Sequence, residues 1–198
     1  MNIFVLFTSL LTSAKNFAFI PVSQPRDEAI VREVSAFEDL KNPLYFTPQE
    51  LDLNIKGKST KLEVEEIGLD GNDQLGVPQK WQSAGWYRKS AKPGEKGTVI
   101  IDGHYDTNTG NPAAFWALKS IGVNDKVILK DKLNRSFTYK VTNTFNVDID
   151  DPNRLQVFEE SNNPTLTLIT CGGVWDYTSG TYNKRLVVKA NLVSSDLD

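Results

Sequence analysis

Apolar and polar residues alternate along much of the chain after Pro48, which is typical of strands with one buried face. The alternation begins with Leu51, Leu53 and Ile55. Further strands are predicted at residues 62–67, 98–102, 126–130, 136–145, 165–170 and 186–192. Turn sequences such as Asp70-Gly71 separate these runs. Many strands with few helical segments predict a mainly β fold closed into a barrel, because closure removes exposed sheet edges.

Two segments have helical spacing instead. Residues 27–41 carry apolar side chains on one helical face from Ile30 to Leu40, with acidic residues in the first turn. This amphipathic amino-terminal helix either docks on the barrel or acts as a lid over a cleft. A second, short helix is expected over residues 112–120, where Phe115 and Leu118 supply an apolar side.

The first part of the chain predicts export. Residues 3–20 are strongly apolar apart from Lys15 and Asn16. This run is interpreted as a cleaved signal or a membrane anchor, and the alternative is a buried first element of the domain. Lys15 interrupts the span, although a lysine near one membrane face can snorkel. We therefore divide the chain into residues 1–25 (export signal or anchor plus linker), 26–45 (amphipathic helix) and 46–198 (barrel).

Composition excludes several classes of site. The chain has 198 residues, a formal net charge of −3, one cysteine and one histidine. The negative charge argues against a dedicated nucleic-acid surface. A single cysteine cannot form an intrachain disulfide, and with a single histidine it cannot form an ordinary zinc cluster. No EF-hand, Walker or dinucleotide glycine pattern is present, so we expect neither a metal nor a cofactor.

Three residues at the ends of predicted strands are candidates for catalysis: Cys171, His104 and Arg185. A thiolate attacks carbonyl carbons, an imidazole moves protons, and a guanidinium stabilises an oxyanion or orients the substrate backbone. The simpler interpretations are a small buried cysteine and a hydrogen-bonded structural histidine. What favours chemistry is that each of the three residues lies at a strand terminus, where side chains often face a cleft.

The same segments resemble a known family. Thr165-Leu-Thr-Leu-Ile-Thr-Cys171 followed by Arg185-Leu-Val-Val-Lys-Ala is similar to the cysteine and arginine strands of the sortases, the cysteine transpeptidases of bacterial surfaces. Gly103-His104-Tyr105-Asp106 resembles the sortase histidine loop. The likeness runs from about residue 51 to 193 and is strongest to class F, with classes E and D close.

This resemblance implies an eight-stranded closed barrel and assigns nucleophile, acid/base and oxyanion roles to Cys171, His104 and Arg185. It implies cleavage of a Leu-Pro-x-Thr-like sorting signal at the threonine and transfer of the acyl group to an amine. The implied partners are secreted proteins that carry the signal, and an amine on a cell-wall precursor or another surface protein. The implied location is the extracytoplasmic bacterial surface, with the protein secreted or anchored in the membrane through its amino terminus.

Smaller predictions concern the neighbours of these residues. Thr170 is a candidate substrate contact through its backbone or hydroxyl, and Trp175 is a candidate wall of the peptide groove. Asp106 either contacts substrate or orients His104, although loop aspartates often cap turns. Two rival functions remain: another Cys/His peptidoglycan enzyme, which is an L,D-transpeptidase or a peptidase, and a catalytically inactive barrel used for binding.

Overall fold

Eight strands close into a β-barrel in the computed structural model of the protein, which describes residues 45–71, 74–159 and 161–197. The strands are β1 (Pro48–Ile55), β2 (Lys58–Ile67), β3 (Ala84–Tyr87), β4 (Gly97–Gly103), β5 (Lys126–Asp131), β6 (Ser136–Asp148), β7 (Pro164–Asp176) and β8 (Thr181–Ser195). Around the barrel their order is β1-β2-β3-β4-β7-β8-β6-β5. The predicted mainly β, closed eight-stranded barrel is confirmed.

Two of the eight pairings are parallel. These are β2 with β3 and β4 with β7, and the other six are antiparallel. Because β4 and β7 run in the same direction, their carboxyl ends lie at the same end of the barrel. This pairing therefore brings the residues that follow Asp102 close to those that follow Ile169, its register partner.

The barrel interior is packed with alternate residues of each strand. On β4, Val99 and Ile101 are fully buried in the main core, whereas Ile100 faces outward. The outward side chain belongs to a second, smaller apolar cluster with Val157, Ile169 and Val187. Burial on both faces explains why residues 99–101 form a continuous apolar run rather than an alternating one.

Two short 3₁₀ helices accompany the strands, Trp116–Ser120 and Arg154–Phe158. The first covers part of the helix that was expected over residues 112–120, and the second lies in a connection for which no helix was expected.

No helix in the described part of the chain is long and apolar enough to cross a membrane. The predicted segment 1–25 and the helix at 27–41 lie outside the described residues.

The hairpin of β7 and β8 is longer than the pattern suggested. Its strands extend beyond the predicted apolar runs to Asp176 on one side and back to Thr181 on the other. Cys171 therefore lies within a strand and not just past its end. The extension was missed because residues 173–180 are exposed, so no buried face marks them in the sequence.

Candidate active site

Cys171 and Arg185 face each other across the β7–β8 hairpin. Their Cα atoms are register partners in the antiparallel pair. Both side chains are half-buried and line the same open cavity of about 1390 Å³. The backbone hydrogen bonds of the hairpin therefore fix the separation of the two Cα atoms.

His104 follows β4 directly and lines the same cavity. Its Nε2 lies 3.0 Å from the Pro78 carbonyl oxygen, and its ring packs on Trp81 with centroids 4.4 Å apart. A carbonyl oxygen only accepts hydrogen bonds, so Nε2 carries a proton and donates it. The other ring nitrogen, Nδ1, is then the one that can exchange a proton with a neighbouring group.

Gly103 joins the cysteine strand to the histidine strand. Its carbonyl oxygen accepts a 2.6 Å hydrogen bond from the buried Thr170 hydroxyl. A Cβ at Gly103 would lie 2.7 Å from the Phe115 ring, so only glycine fits here without moving that ring. The hydrogen bond links the residue before His104 to the residue before Cys171, and so it holds the two strand ends together.

Burial dominates the electrostatics of the thiol. Burial raises the pKa of Cys171 above its ordinary value, the positive charge of Arg185 opposes this, and Asp102 and Asp106 reinforce it. The protonated thiol is therefore the resting form at neutral pH. Attack on a carbonyl needs the thiolate, so a base must remove the proton.

The guanidinium of Arg185 is held by backbone oxygens. Its Nη1 donates to the carbonyls of Tyr182, at 3.1 Å, and Lys184, at 3.0 Å. No carboxylate of the described residues lies within ion-pair distance of it. Its charge thus remains available to an anionic group in the cavity.

Asp106 accepts a hydrogen bond from the Tyr182 hydroxyl at 2.5 Å. This bond is the main reason that the pKa of Tyr182 is raised, and it ties the histidine loop to the start of β8. Tyr182 in turn contacts Trp175 edge to face, with centroids 5.3 Å apart. Asp106 therefore lies beside the site, bonded to Tyr182, a residue that no sequence pattern had indicated.

The other two predicted substrate contacts differ in position. Trp175 lies on the extended hairpin and is partly exposed next to Tyr182. Thr170 points to the barrel interior, on the face of β7 opposite Cys171, and its hydroxyl is used by Gly103. Any contact of Thr170 with a substrate is thus limited to its backbone.

The cavity floor is apolar, and the second 3₁₀ helix forms one of its walls. Ile100, Ile169 and Val187 make the floor, and Val157 of the helix packs on them. Lys189 on β8 donates from Nζ to the Val157 carbonyl at 2.6 Å and so fixes this wall. Burial lowers the pKa of Lys189, and Glu159 opposes this shift.

The model of the sortase domain family matches residues 54–193, which is most of the chain. The chain belongs to the sortase family. The matched region contains all eight strands in whole or in part, together with His104, Cys171 and Arg185. Sortases are transpeptidases, and the barrel described above is the fold of this family.

Solved sortase structures resemble this barrel at low sequence identity. Sortase A of Listeria monocytogenes is 21% identical, with a TM-score of 0.54 over 75% of this chain and 89% of that one. A Clostridium perfringens sortase D5 transpeptidase is 21% identical, with a TM-score of 0.53 over 84% and 95%. Sortase E of Streptomyces avermitilis is 23% identical, with a TM-score of 0.52 over 77% and 91%.

These similarities support the sortase fold but do not separate the classes, because structures of classes A, D and E match almost equally well. No curated protein sequence is significantly similar to this chain.

Two parts of the site were missed by sequence reasoning. Pro78 and Trp81 hold the His104 ring. Their role was hidden because the connection from β2 to β3 has no regular periodicity. Asp102 was counted as a strand residue, yet its side chain lines the sortase cavity.

Proposed function

We propose that this sortase domain is a surface cysteine transpeptidase that acts through an acyl-enzyme on Cys171. One observation carries the proposal: Cys171 is the register partner of Arg185, and both open to the cavity that His104 lines. Nucleophile, proton carrier and fixed cation thus meet on one surface. Acyl transfer requires these three functions.

The first half-reaction forms a thioester. The Cys171 proton passes to Nδ1 of His104 as substrate binds, and the thiolate sulfur attacks the carbonyl carbon of the threonine in a Leu-Pro-x-Thr-like signal. A C–S bond forms and the tetrahedral oxyanion is stabilised by Arg185. The C–N bond then breaks, and His104 donates a proton from Nδ1 to the departing amine.

The second half-reaction returns the enzyme to its resting form. An acceptor amine attacks the thioester carbon and gives a proton to His104. A new C–N bond forms, the C–S bond breaks, and Cys171 leaves as a thiolate that takes the proton back from His104. Water is the slow alternative acceptor. The amine belongs to a cell-wall precursor or another surface protein.

The peptide groove is proposed to lie along the apolar floor, with Trp175 at one wall and Asp106 positioning the histidine loop through Tyr182. The Thr170 backbone is the remaining candidate contact. Among the sortase classes, the motif order favours class F, with E and D close. The clients are secreted proteins that bear a sorting signal.

The amino-terminal stretch is proposed to deliver the enzyme to these clients. Residues 1–25 act as export signal or membrane anchor, residues 26–45 as an amphipathic helix and residues 46–198 as the catalytic barrel. This organisation places the barrel outside the cytoplasm, at the bacterial cell surface, where secreted chains pass.

The test combines mass spectrometry with an acceptor assay on the full chain. The protein is incubated with a Leu-Pro-x-Thr-Gly peptide pool, with and without triglycine. A mass increase on Cys171 equal to the acyl fragment, and a ligated product that needs triglycine, are the expected results. If the peptide is hydrolysed and no ligated product forms in the presence of triglycine, the protein is a peptidase instead. Absence of any adduct and product indicates the inactive binding barrel.

A further inference from the structure

Asp102 places a carboxyl group in the otherwise apolar floor of the sortase cavity. It shares the outward face of β4 with Ile100, since the alternate residue Ile101 points into the core. Its register partner on β7 is Ile169, which lies two residues before Cys171 on the same face. Its side chain lines the cavity, so a ligand in the groove can reach it.

This carboxyl has neither a hydrogen bond nor an ion pair with any residue that the structure describes. Arg185 is close enough to influence it, but the arginine Nη1 donates to backbone carbonyls instead. Burial raises the pKa of Asp102 well above its ordinary value, with Arg185 opposing the shift. Asp102 is half-buried in the free protein. A polar group that is partly withdrawn from water and has no protein partner gains when a ligand supplies one.

The other charged groups that face the cavity differ in their surroundings. They are Asp70, Lys89, Glu95, Lys96, Asp148 and Arg154. All of them except Glu95 are exposed, so water screens them strongly. Asp148 is also paired with Lys184 at 3.2 Å. The position of Asp102 in the floor therefore gives it more influence on a bound peptide than these groups have.

Geometry relates Asp102 to the site of attack. Two residues of a strand span roughly 6.6 Å, and neighbouring strands lie roughly 4.8 Å apart. An extended peptide with its reactive carbonyl at Cys171 therefore brings a side chain over Asp102 about two residues away. The acyl part of the peptide must stay bound through both half-reactions, whereas the leaving part must make room for the acceptor. The deep floor consequently holds the acyl part.

We propose that Asp102 is a specificity-determining residue that selects a basic side chain within the three residues before the attacked carbonyl. This inference rests on the proposed function. A lysine or arginine side chain supplies a charge-assisted hydrogen bond to this carboxyl. An aliphatic side chain leaves the carboxyl unpaired, and sites built around a polar group reject such ligands strongly.

The experiment measures selectivity in two ways on the full-length protein. Peptides carry Lys, Leu or Glu at each of the three positions before the threonine. Their binding to the Cys171→Ala variant is followed by fluorescence polarisation, and their cleavage by the unmodified enzyme is followed by chromatography. Each measurement is repeated with Asp102→Asn, which keeps the shape but cannot ionise. Asp148→Asn is the matched control, because it removes a paired carboxylate of the same cavity.

We expect lysine at one position to be preferred over leucine by about tenfold or more. Asp102→Asn should reduce this ratio to near one, and Asp148→Asn should leave it unchanged. An equal ratio in the parent and Asp102→Asn, or the absence of a lysine preference in the parent at all three positions, overturns the proposal. If nothing is cleaved but lysine peptides still bind through Asp102, the catalytic function fails while the selectivity stands.

Discussion

Arg185 is the register partner of Cys171, and its guanidinium donates hydrogen bonds to the backbone carbonyls of Tyr182 and Lys184. These two bonds fix the direction of a planar cation without neutralising it. In the proposed mechanism, an oxyanion that forms on a substrate bound to Cys171 meets a charge that is already oriented. The position of the arginine is set by sheet register, so its function should depend on the shape of its head group.

Replacing Cys171 with alanine should abolish both peptide cleavage and transfer. The sequence contains no second thiol that could replace it. Chromatography of reactions with and without triglycine measures both activities, and circular dichroism checks that the barrel is intact. Activity comparable with that of the parent protein would rule out a cysteine enzyme.

His104→Ala should lower kcat/KM by several orders of magnitude. Positioned acid–base groups contribute roughly 10²–10⁴-fold, and loss of help in forming the thiolate adds to this. Steady-state kinetics with a quenched fluorescent peptide gives the value, and a thermal melt controls for folding. A loss of less than about tenfold would mean that the imidazole is structural and that another group moves the proton.

Arg185→Lys should be a poor enzyme although the charge is kept. An ammonium group cannot hold the Tyr182 and Lys184 carbonyls in a planar fork and face the substrate as well. Loss of one oriented oxyanion donor costs about 2.7–4 kcal/mol, so kcat should fall by roughly 10²–10³.

The adjacent Lys184→Gln is the matched control, because Lys184 has an exposed ion pair with Asp148. We expect it to retain activity close to that of the parent. A parental rate for Arg185→Lys would show that only long-range charge matters at this position.

The pH dependence of thiol alkylation should report the burial of Cys171. Because burial raises the pKa of this thiol, its reaction with iodoacetamide should increase only above the pH range of an ordinary cysteine. Arg185→Gln removes a cation that favours the thiolate, so the pKa of Cys171 should rise further. Alkylation is read by mass, with Lys184→Gln as control. An alkylation midpoint at the pH of an ordinary cysteine would contradict this prediction. A lower Cys171 pKa in Arg185→Gln than in the parent would also contradict it.

The sequence was informative wherever burial leaves a pattern. The apolar runs around Thr98–Ile101 and Leu166–Ile169 predicted strands β4 and β7, and the candidate residues that follow each run line the same cavity. The pattern worked here because both faces of these strands are buried, which favours apolar residues at most positions.

The remaining features depend on contacts that are distant in sequence. The bond between Tyr182 and Asp106 joins residues 76 positions apart, and neither residue has a local signature for it. Strand β3 has only four residues, too few for periodicity to be detected. In the sequence Asp102 was only the last residue of a predicted strand. Its position in the cavity, and the fact that its carboxyl group has no partner there among the described residues, can be recognised only from the three-dimensional structure.

Deleting residues 1–25 should yield a folded, active domain, because the barrel begins with β1 at Pro48. The full chain should instead be exported through its apolar stretch. Fractionation of cells that express either form, with protease added to intact cells, tests both statements. Full-length protein that is cytoplasmic and shielded from protease would defeat the export proposal. A truncated chain that cannot fold would make the stretch part of the core.

The parallel pairing of β4 with β7 also has a consequence for how the protein folds. Register partners such as Thr98 and Thr165 lie far apart in the sequence, so this pairing requires closure of a long loop. Pairings of high sequence separation carry a large entropic barrier and slow folding. His104 and Cys171 meet only once this seam has closed. In the proposed mechanism, a partly folded chain therefore carries an isolated thiol, and its reactivity toward carbonyls arises only with the completed native state.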